Sequence, residues 1–198
     1  YTMLGFYDRT SDRMDDADLQ RLNVDKAREL ASTDTDRAAA DWVLQRLDRM
    51  AEEYAGAAFD RLTGWVIHGD YTPANLLFSD GGDVVGIFDL DWALPGARCR
   101  DVADGLYFFA TRPRQIDGAS IWSLTDAAAF DLDRCAAFLR AYEETSPLGA
   151  HEIDAIPLAF AGRWISIRLE GMAKVEPEER FRFFSRDVRS PLEWLDEN

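Results

Sequence analysis

Asp70, Asn75 and Asp89 are the residues whose types and spacing most directly suggest chemistry. They fall in Val66-Ile67-His68-Gly69-Asp70-Tyr71-Thr72-Pro73-Ala74-Asn75-Leu76-Leu77-Phe78, followed by Val84-Val85-Gly86-Ile87-Phe88-Asp89-Leu90-Asp91. Moving a phosphoryl group from a nucleotide to a hydroxyl asks little covalent work of a protein. One carboxylate must meet the attacking hydroxyl, while an amide oxygen and a second carboxylate hold magnesium on the phosphates. Asp70, four intervening residues, Asn75 and then a strand-end Asp89 supply those groups in that order.

Each of these residues has a plainer reading alone. Asp70 could bond its own backbone in a turn, Asn75 could cap a turn and Asp89 could end a strand. Three such accidents in this order explain the segment poorly, so the joint reading is preferred. Asp91 would share a face with Asp89 if the backbone stays extended, as a second metal ligand, a contact for a basic substrate or a solvated carboxylate. His68 is read as a packed, hydrogen-bonded supporting residue and not as a proton carrier. His151 is read as a surface residue. Asp101, in Arg98-Cys99-Arg100-Asp101-Val102-Ala103-Asp104, could cap a helix or accept bonds from the amides of the Asp70 loop.

The elements that must position these groups are short. Trp65 to Ile67 predicts a strand entering the loop, Leu76 to Phe78 a second, and Val84 to Phe88 a third, with Ser79-Asp80-Gly81-Gly82 as a hairpin turn. Together they predict one small sheet with Asp70 and Asn75 on one loop and Asp89 on another. Residues 8–35 read as loop or short helices, with Lys26 in a charged helical stretch. From Asp36 the apolar positions Val43, Leu47, Met50 and Tyr54 form one stripe of an amphipathic helix, capped by Ser32, Thr33 or Asp34. Helices are also expected from Asp101 through Phe109 to a break at Pro113, over residues 126–145, and from Asp154 to about Val175. In the last of these, Pro157 fits only in the first turn. Pro177 and Pro191 open two short terminal helices. The aromatic set Phe160, Trp164, Phe181, Phe183, Phe184 and Trp194 is read as core, ahead of a cage for a cationic ligand. Glu170 and Glu176 sit where they could contact substrate amines.

The fold class is therefore α+β, mainly helical, with residues 1–198 as one domain. Hydrophobic residues make up 47% of the chain, which fits a folded body. No run is apolar enough to span a bilayer, and no signal peptide is expected, so a cytoplasmic location is expected. Cys99 and Cys135 are the only cysteines and are read as free thiols. The net charge of −15, from 22 basic and 37 acidic residues, argues against nucleic acid as a partner. It could steer cationic small molecules, although a solvated acidic surface explains it more simply.

His68-Gly69-Asp70 with Asn75, the hairpin to Asp89 and the helix start at Asp101-Val102-Ala103 resemble the aminoglycoside phosphotransferase and choline kinase superfamily. Homoserine and methylthioribose kinases share this protein-kinase-like pattern. The resemblance is best from Val66 to Ala110, and the later helices fit the family's C-terminal lobe. It implies ATP and magnesium as cofactors and a small-molecule alcohol as acceptor. It also implies Asp70 as catalytic base, Asn75 and Asp89 as magnesium ligands that bind the nucleotide through the metal, and Asp101 as support for the catalytic loop. An N-terminal nucleotide lobe is not recognisable, because the chain has no G-x-G-x-x-G and no Val-Ala-x-Lys-like strand. The chain, which begins at Tyr1, reads as the C-terminal lobe alone. Alternatives are a non-catalytic small-molecule-binding lobe, or half of a two-chain kinase. A partner chain supplying the other lobe would leave an apolar surface around Phe6, Tyr7 and the hairpin.

Overall fold

Among the described residues the first long helix forms where the apolar repeat of helical period begins. The computed structural model describes residues 24–53, 61–112 and 120–197. Residues 24–28 are helical and include Lys26, as the charged stretch suggested. Helix α1 (Asp34–Glu53) follows. Thr33 caps it reciprocally: Asp36 N–H donates to Thr33 Oγ1, and Thr33 N–H donates to Asp36 Oδ2, both at 3.1 Å. Val43 and Leu47 of the expected stripe are buried. The Met50 side chain, Tyr54, Phe6, Tyr7 and Pro113 lie outside the described residues.

The strands are β1 (Gly64–Ile67), β2 (Leu76–Phe78) and β3 (Val84–Ile87). β2 and β3 pair antiparallel, with Leu76 opposite Ile87 and a bulge at Leu77/Phe78. Their turn closes through Gly82 N–H to the Ser79 carbonyl at 2.9 Å. The single three-stranded sheet expected from the sequence does not form. β1 pairs instead with β4 (Leu94–Ala97), and a third pair joins β5 (Thr111–Arg112) to β6 (Ala129–Phe130). Pro95 and Gly96 inside β4 are poor strand residues, which hid it from pattern reading.

The helical body comprises α2 (Cys99–Phe109), α3 (Leu132–Thr145), α4 (Ala150–Met172), α5 (Arg180–Ser185) and α6 (Ser190–Glu197). α3 starts later than expected: Asp131 caps it, and Phe130 belongs to β6. α4 starts earlier than the expected Asp154 cap. The Glu152 carboxylate accepts the Gly149 N–H at 2.8 Å and fixes the first turn there. Pro157 thus lies inside the helix, and the bond it deletes is the one to the Ile153 carbonyl. Both residues are exposed, so water can serve that carbonyl.

α4 is apolar nearly all round because it is the central element. Phe160, Trp164, Ile165 and Leu169 are buried against α2 and the terminal helices, and Phe181, Phe183 and Phe184 join them. Trp194 lies over Phe130 at a centroid distance of 4.9 Å. The aromatic set is core. Gly105 lets α2 approach α3 closely, since a Cβ there would collide with the Phe138 ring. Arg98 ties the β4–α2 junction to the α3–α4 turn. Its Nε donates to Glu152 Oε1 at 2.6 Å and its Nη2 to the Pro147 carbonyl at 2.6 Å. Cys99 and Cys135 are free, and burial pushes the Cys99 thiol up to about 12. Among the described residues no helix is long and apolar enough to cross a membrane.

Candidate active site

The β1–β2 connection has no regular ladder of its own, so its amides need other partners. Four consecutive N–H groups find them on side chains. His68 N–H donates to Asp101 Oδ2 at 2.7 Å and Gly69 N–H to Asp101 Oδ1 at 3.0 Å. Asp70 N–H donates to His68 Nδ1 at 3.3 Å, and Tyr71 N–H to Asp104 Oδ2 at 3.2 Å. Asp101 and Asp104 are one turn apart on α2, so a single helix face holds the loop. Asp101 does not cap its own helix, which begins two residues earlier at Cys99. Gly69 has φ +76°, and a Cβ there would strike the Trp92 carbonyl oxygen. Only glycine fits that turn.

His68 is buried and bridges the two halves of the site. With Nδ1 accepting from Asp70, Nε2 is left as donor to the Phe88 carbonyl at 3.0 Å. Phe88 N–H in turn donates to the Asn75 carbonyl at 3.1 Å. Asp70, Asn75 and the strand end before Asp89 are thereby brought together. Asp91 is not on an extended face with Asp89, because the chain turns there into the 3-10 segment Leu90–Trp92. His151 is exposed, in the first turn of α4.

The Asn75 amide donates to the Asp70 carbonyl at 2.9 Å and to Asp70 Oδ2 at 3.1 Å. Both partners are acceptors, so the NH₂ must face them and Oδ1 is turned away as a neutral oxygen donor. Asp89 is exposed, makes no side-chain capping bond and adopts the left-handed conformation, φ 59° and ψ 59°. Left-handed backbone costs roughly 1–2 kcal/mol for a residue with a Cβ, and such strain concentrates at functional sites. An amide oxygen and an exposed carboxylate are the hard donors that magnesium prefers, so this pair fits that ion.

Asp70 Oδ1 accepts from Arg163 Nη2 of α4 at 2.6 Å, and Arg163 Nε approaches Asp104 Oδ1 to 2.8 Å. The Arg163 side chain is 9% exposed, Asp70 30% and Asp104 0%. Complete burial pushes the Asp104 carboxyl up to about 6, against the pull of Arg163. Arg163 itself is held charged by Asp104, Glu170 and Asp70. Sequence reading missed Arg163 and Asp104. The available signals were an arginine between Gly162 and Trp164 in a largely apolar helix and an aspartate three residues after Asp101.

Asp70 opens into a cavity of about 570 Å³. α4 contributes Arg163, Ile167 and Glu170 to it, at the spacing of one helix face, and Lys174 follows just beyond the helix end. Thr72 lines it from the loop, Trp92 from the 3-10 segment after Asp89, and Arg100 and Phe108 from α2. Glu176, proposed with Glu170 from position alone, does not line it. Among the described His, Cys, Asp and Glu residues there is no cluster of three that would hold a metal without Asn75.

A curated relative, a homoserine kinase from Caulobacter sp. (strain K31), is 28% identical over 116 residues. The match covers 59% of this chain and 32% of that protein, so the chain spans about a third of the relative's length. Residues 5–148 match the phosphotransferase enzyme family, and the loop from His68 to Asn75, its hairpin and the α2 clamp all lie within them. By that match the chain belongs to the phosphotransferase enzyme family, the aminoglycoside phosphotransferase group of the protein-kinase-like superfamily.

Proposed function

We propose that this chain is the catalytic, acceptor-binding lobe of an ATP-dependent phosphotransferase acting on a hydroxyl of a small molecule. The observation that carries the reading is Asp70, held at two oxygens yet open to a cavity, beside an Asn75–Asp89 pair suited to magnesium. The acceptor oxygen would bond to the γ-phosphorus while the bond to the bridging oxygen breaks, releasing ADP. Asp70 would orient the hydroxyl and take its proton. Arg163 and Asn75 fix the carboxylate so that little reorganisation is needed at the moment of transfer. Magnesium, bound by Asn75 Oδ1 and Asp89, would neutralise charge on the nucleotide phosphates. Asp101, Asp104 and His68 position the loop. Homoserine is a candidate acceptor through the relative's activity.

A nucleotide lobe would cover an apolar face. Trp65, Val66, Leu77 and Val85 on β1 and the β2–β3 hairpin are each more than half exposed among the described residues, which supports that placement. Transfer of labelled γ-phosphate from ATP, with and without magnesium, tests the reading across homoserine, choline and an aminoglycoside. Asp70→Asn should lower transfer by roughly 10²–10⁴-fold while nucleotide binding persists. Asp89→Ala should lose both. Transfer by Asp70→Asn within a few fold of the unaltered chain would refute the assignment.

A further inference from the structure

The charges lining the cavity oppose the charge of the whole chain. Among the described residues Arg100, Arg163 and Lys174 face it against Asp70 and Glu170, three cations to two anions, in a protein of net charge −15. Arg163 is committed to Asp70 and Asp104. Arg100, in the first turn of α2, acts on the buried Asp104 only from a distance, and neither it nor Lys174, just beyond the end of α4, is in direct contact with a carboxylate among the described residues. Glu170 acts electrostatically on Arg163. The two charges at the cavity wall that have no direct ion-pair contact among the described residues are therefore both positive. They come from different helices and flank one space. A purely cationic acceptor would meet them unfavourably, whatever the acidic outer surface does to its approach.

We infer, resting on the phosphotransferase reading above, that the acceptor carries a carboxylate, which Arg100 and Lys174 hold while its hydroxyl faces Asp70. Arg100 supplies a planar fork suited to a carboxylate, and Lys174 a flexible point charge. Glu170, one turn before Lys174, lines the same space. The class is a small hydroxy acid or hydroxy amino acid. Trp92, Phe108 and Ile167 supply the apolar wall that its methylene groups would touch.

The phosphates of a nucleotide share the chemistry of a carboxylate, so the test separates the two. Calorimetry on the full chain uses L-homoserine, 4-hydroxybutanoate (no amine), 3-aminopropan-1-ol (no carboxylate), choline and magnesium ATP. The two carboxylate-bearing alcohols should bind at least about tenfold more tightly than aminopropanol or choline. Arg100→Gln and Lys174→Gln should each weaken homoserine and hydroxybutanoate by about tenfold, leaving aminopropanol unchanged. The inference is overturned if the amine-only alcohols bind as tightly, if no carboxylate-bearing alcohol binds, or if the variants weaken only magnesium ATP. Phosphate transfer to choline alone would overturn it while sparing the phosphotransferase reading. Homoserine binding that depends on Arg100, with no magnesium-dependent transfer to any alcohol, would do the reverse.

Discussion

Replacing Arg163 with methionine keeps most of the side-chain volume and removes the one guanidinium that serves both Asp70 and Asp104. Asp104 is wholly buried, and among the described residues it would keep the Tyr71 N–H at 3.2 Å and the distant charge of Arg100. Removing one partner of a buried charge pair costs about 3–5 kcal/mol, because the other charge is left in a poor dielectric. For a domain of this size each kcal/mol moves the melting temperature by about 2–4 °C, so a drop of roughly 10 °C is expected. Asp104→Asn alone should cost less, about 1–3 kcal/mol, since Arg163 keeps Asp70 and the asparagine oxygen can still accept from Tyr71.

The double variant separates compensation from simple loss of packing. If Arg163 is there to balance Asp104, then Arg163→Met with Asp104→Asn leaves no buried charge unpaired. It should be more stable than Arg163→Met by about 2 kcal/mol, a coupling typical of residues in direct contact. Urea unfolding followed by tryptophan fluorescence at neutral pH gives all four values. A loss below about 1 kcal/mol in Arg163→Met, or strictly additive single effects, would show that the ion pair is not what stabilises this junction.

Asp104 also predicts a pH dependence. Its folded-state value of about 6 lies above the ordinary 3.8, so its contribution to stability is full below about pH 4 and is lost as pH rises through about 6. The change is at most ~3 kcal/mol, and Asp104→Asn should remove it from the stability profile between those limits. Glu152, held below the usual carboxylate range by Arg98, contributes with the opposite sign, and Glu152→Gln should flatten the loss of stability seen on acidification. Asp89→Gly should be about 1 kcal/mol more stable than Asp89→Ala by relieving the left-handed conformation. Both should lose magnesium-dependent nucleotide binding by calorimetry. Binding retained in Asp89→Gly would remove Asp89 from the metal site. Asp101→Asn presents an NH₂ group to one of two backbone amides, and a loss of about 1–3 kcal/mol in thermal melts is expected. A neutral effect would mean that the α2 clamp is dispensable.

What the sequence disclosed was chiefly local. The turn at Gly81-Gly82, the strand pattern on either side and the stripe through Val43 and Leu47 are set by neighbours within a few residues, and each formed as read. The misses share a cause of another kind. β4 exists because β1 needs a partner, and Pro95 and Gly96 give no strand signal of their own. α4 begins at Ala150 because Glu152 finds both the Gly149 amide and Arg98, which lies 54 residues away in sequence. The expectation for Pro157 failed because the carbonyl it deprives lies on the exposed side of the helix. In each case a distant partner or solvent access overrode local propensity.

The loop bearing Asp70 combines both kinds of information. The order His68, Gly69, Asp70 and Asn75 is readable because the chemistry needs those groups close in sequence. The conformation that makes the order useful is imposed from α2 and α4. With four successive amides assigned to Asp101, His68 and Asp104, the loop cannot shift along β1 without leaving several donors unpaired at once. That clamp concentrates negative charge behind the site, and Arg163 is the buried cation in contact with both Asp70 and Asp104. Catalysis and stability therefore meet in one guanidinium. A variant of Arg163 that lowered phosphate transfer could not be read as catalytic until its stability had been restored through Asp104→Asn. If transfer recovered together with stability, Arg163 would be a positioning residue; if stability alone recovered, its bond to Asp70 would matter to the reaction itself.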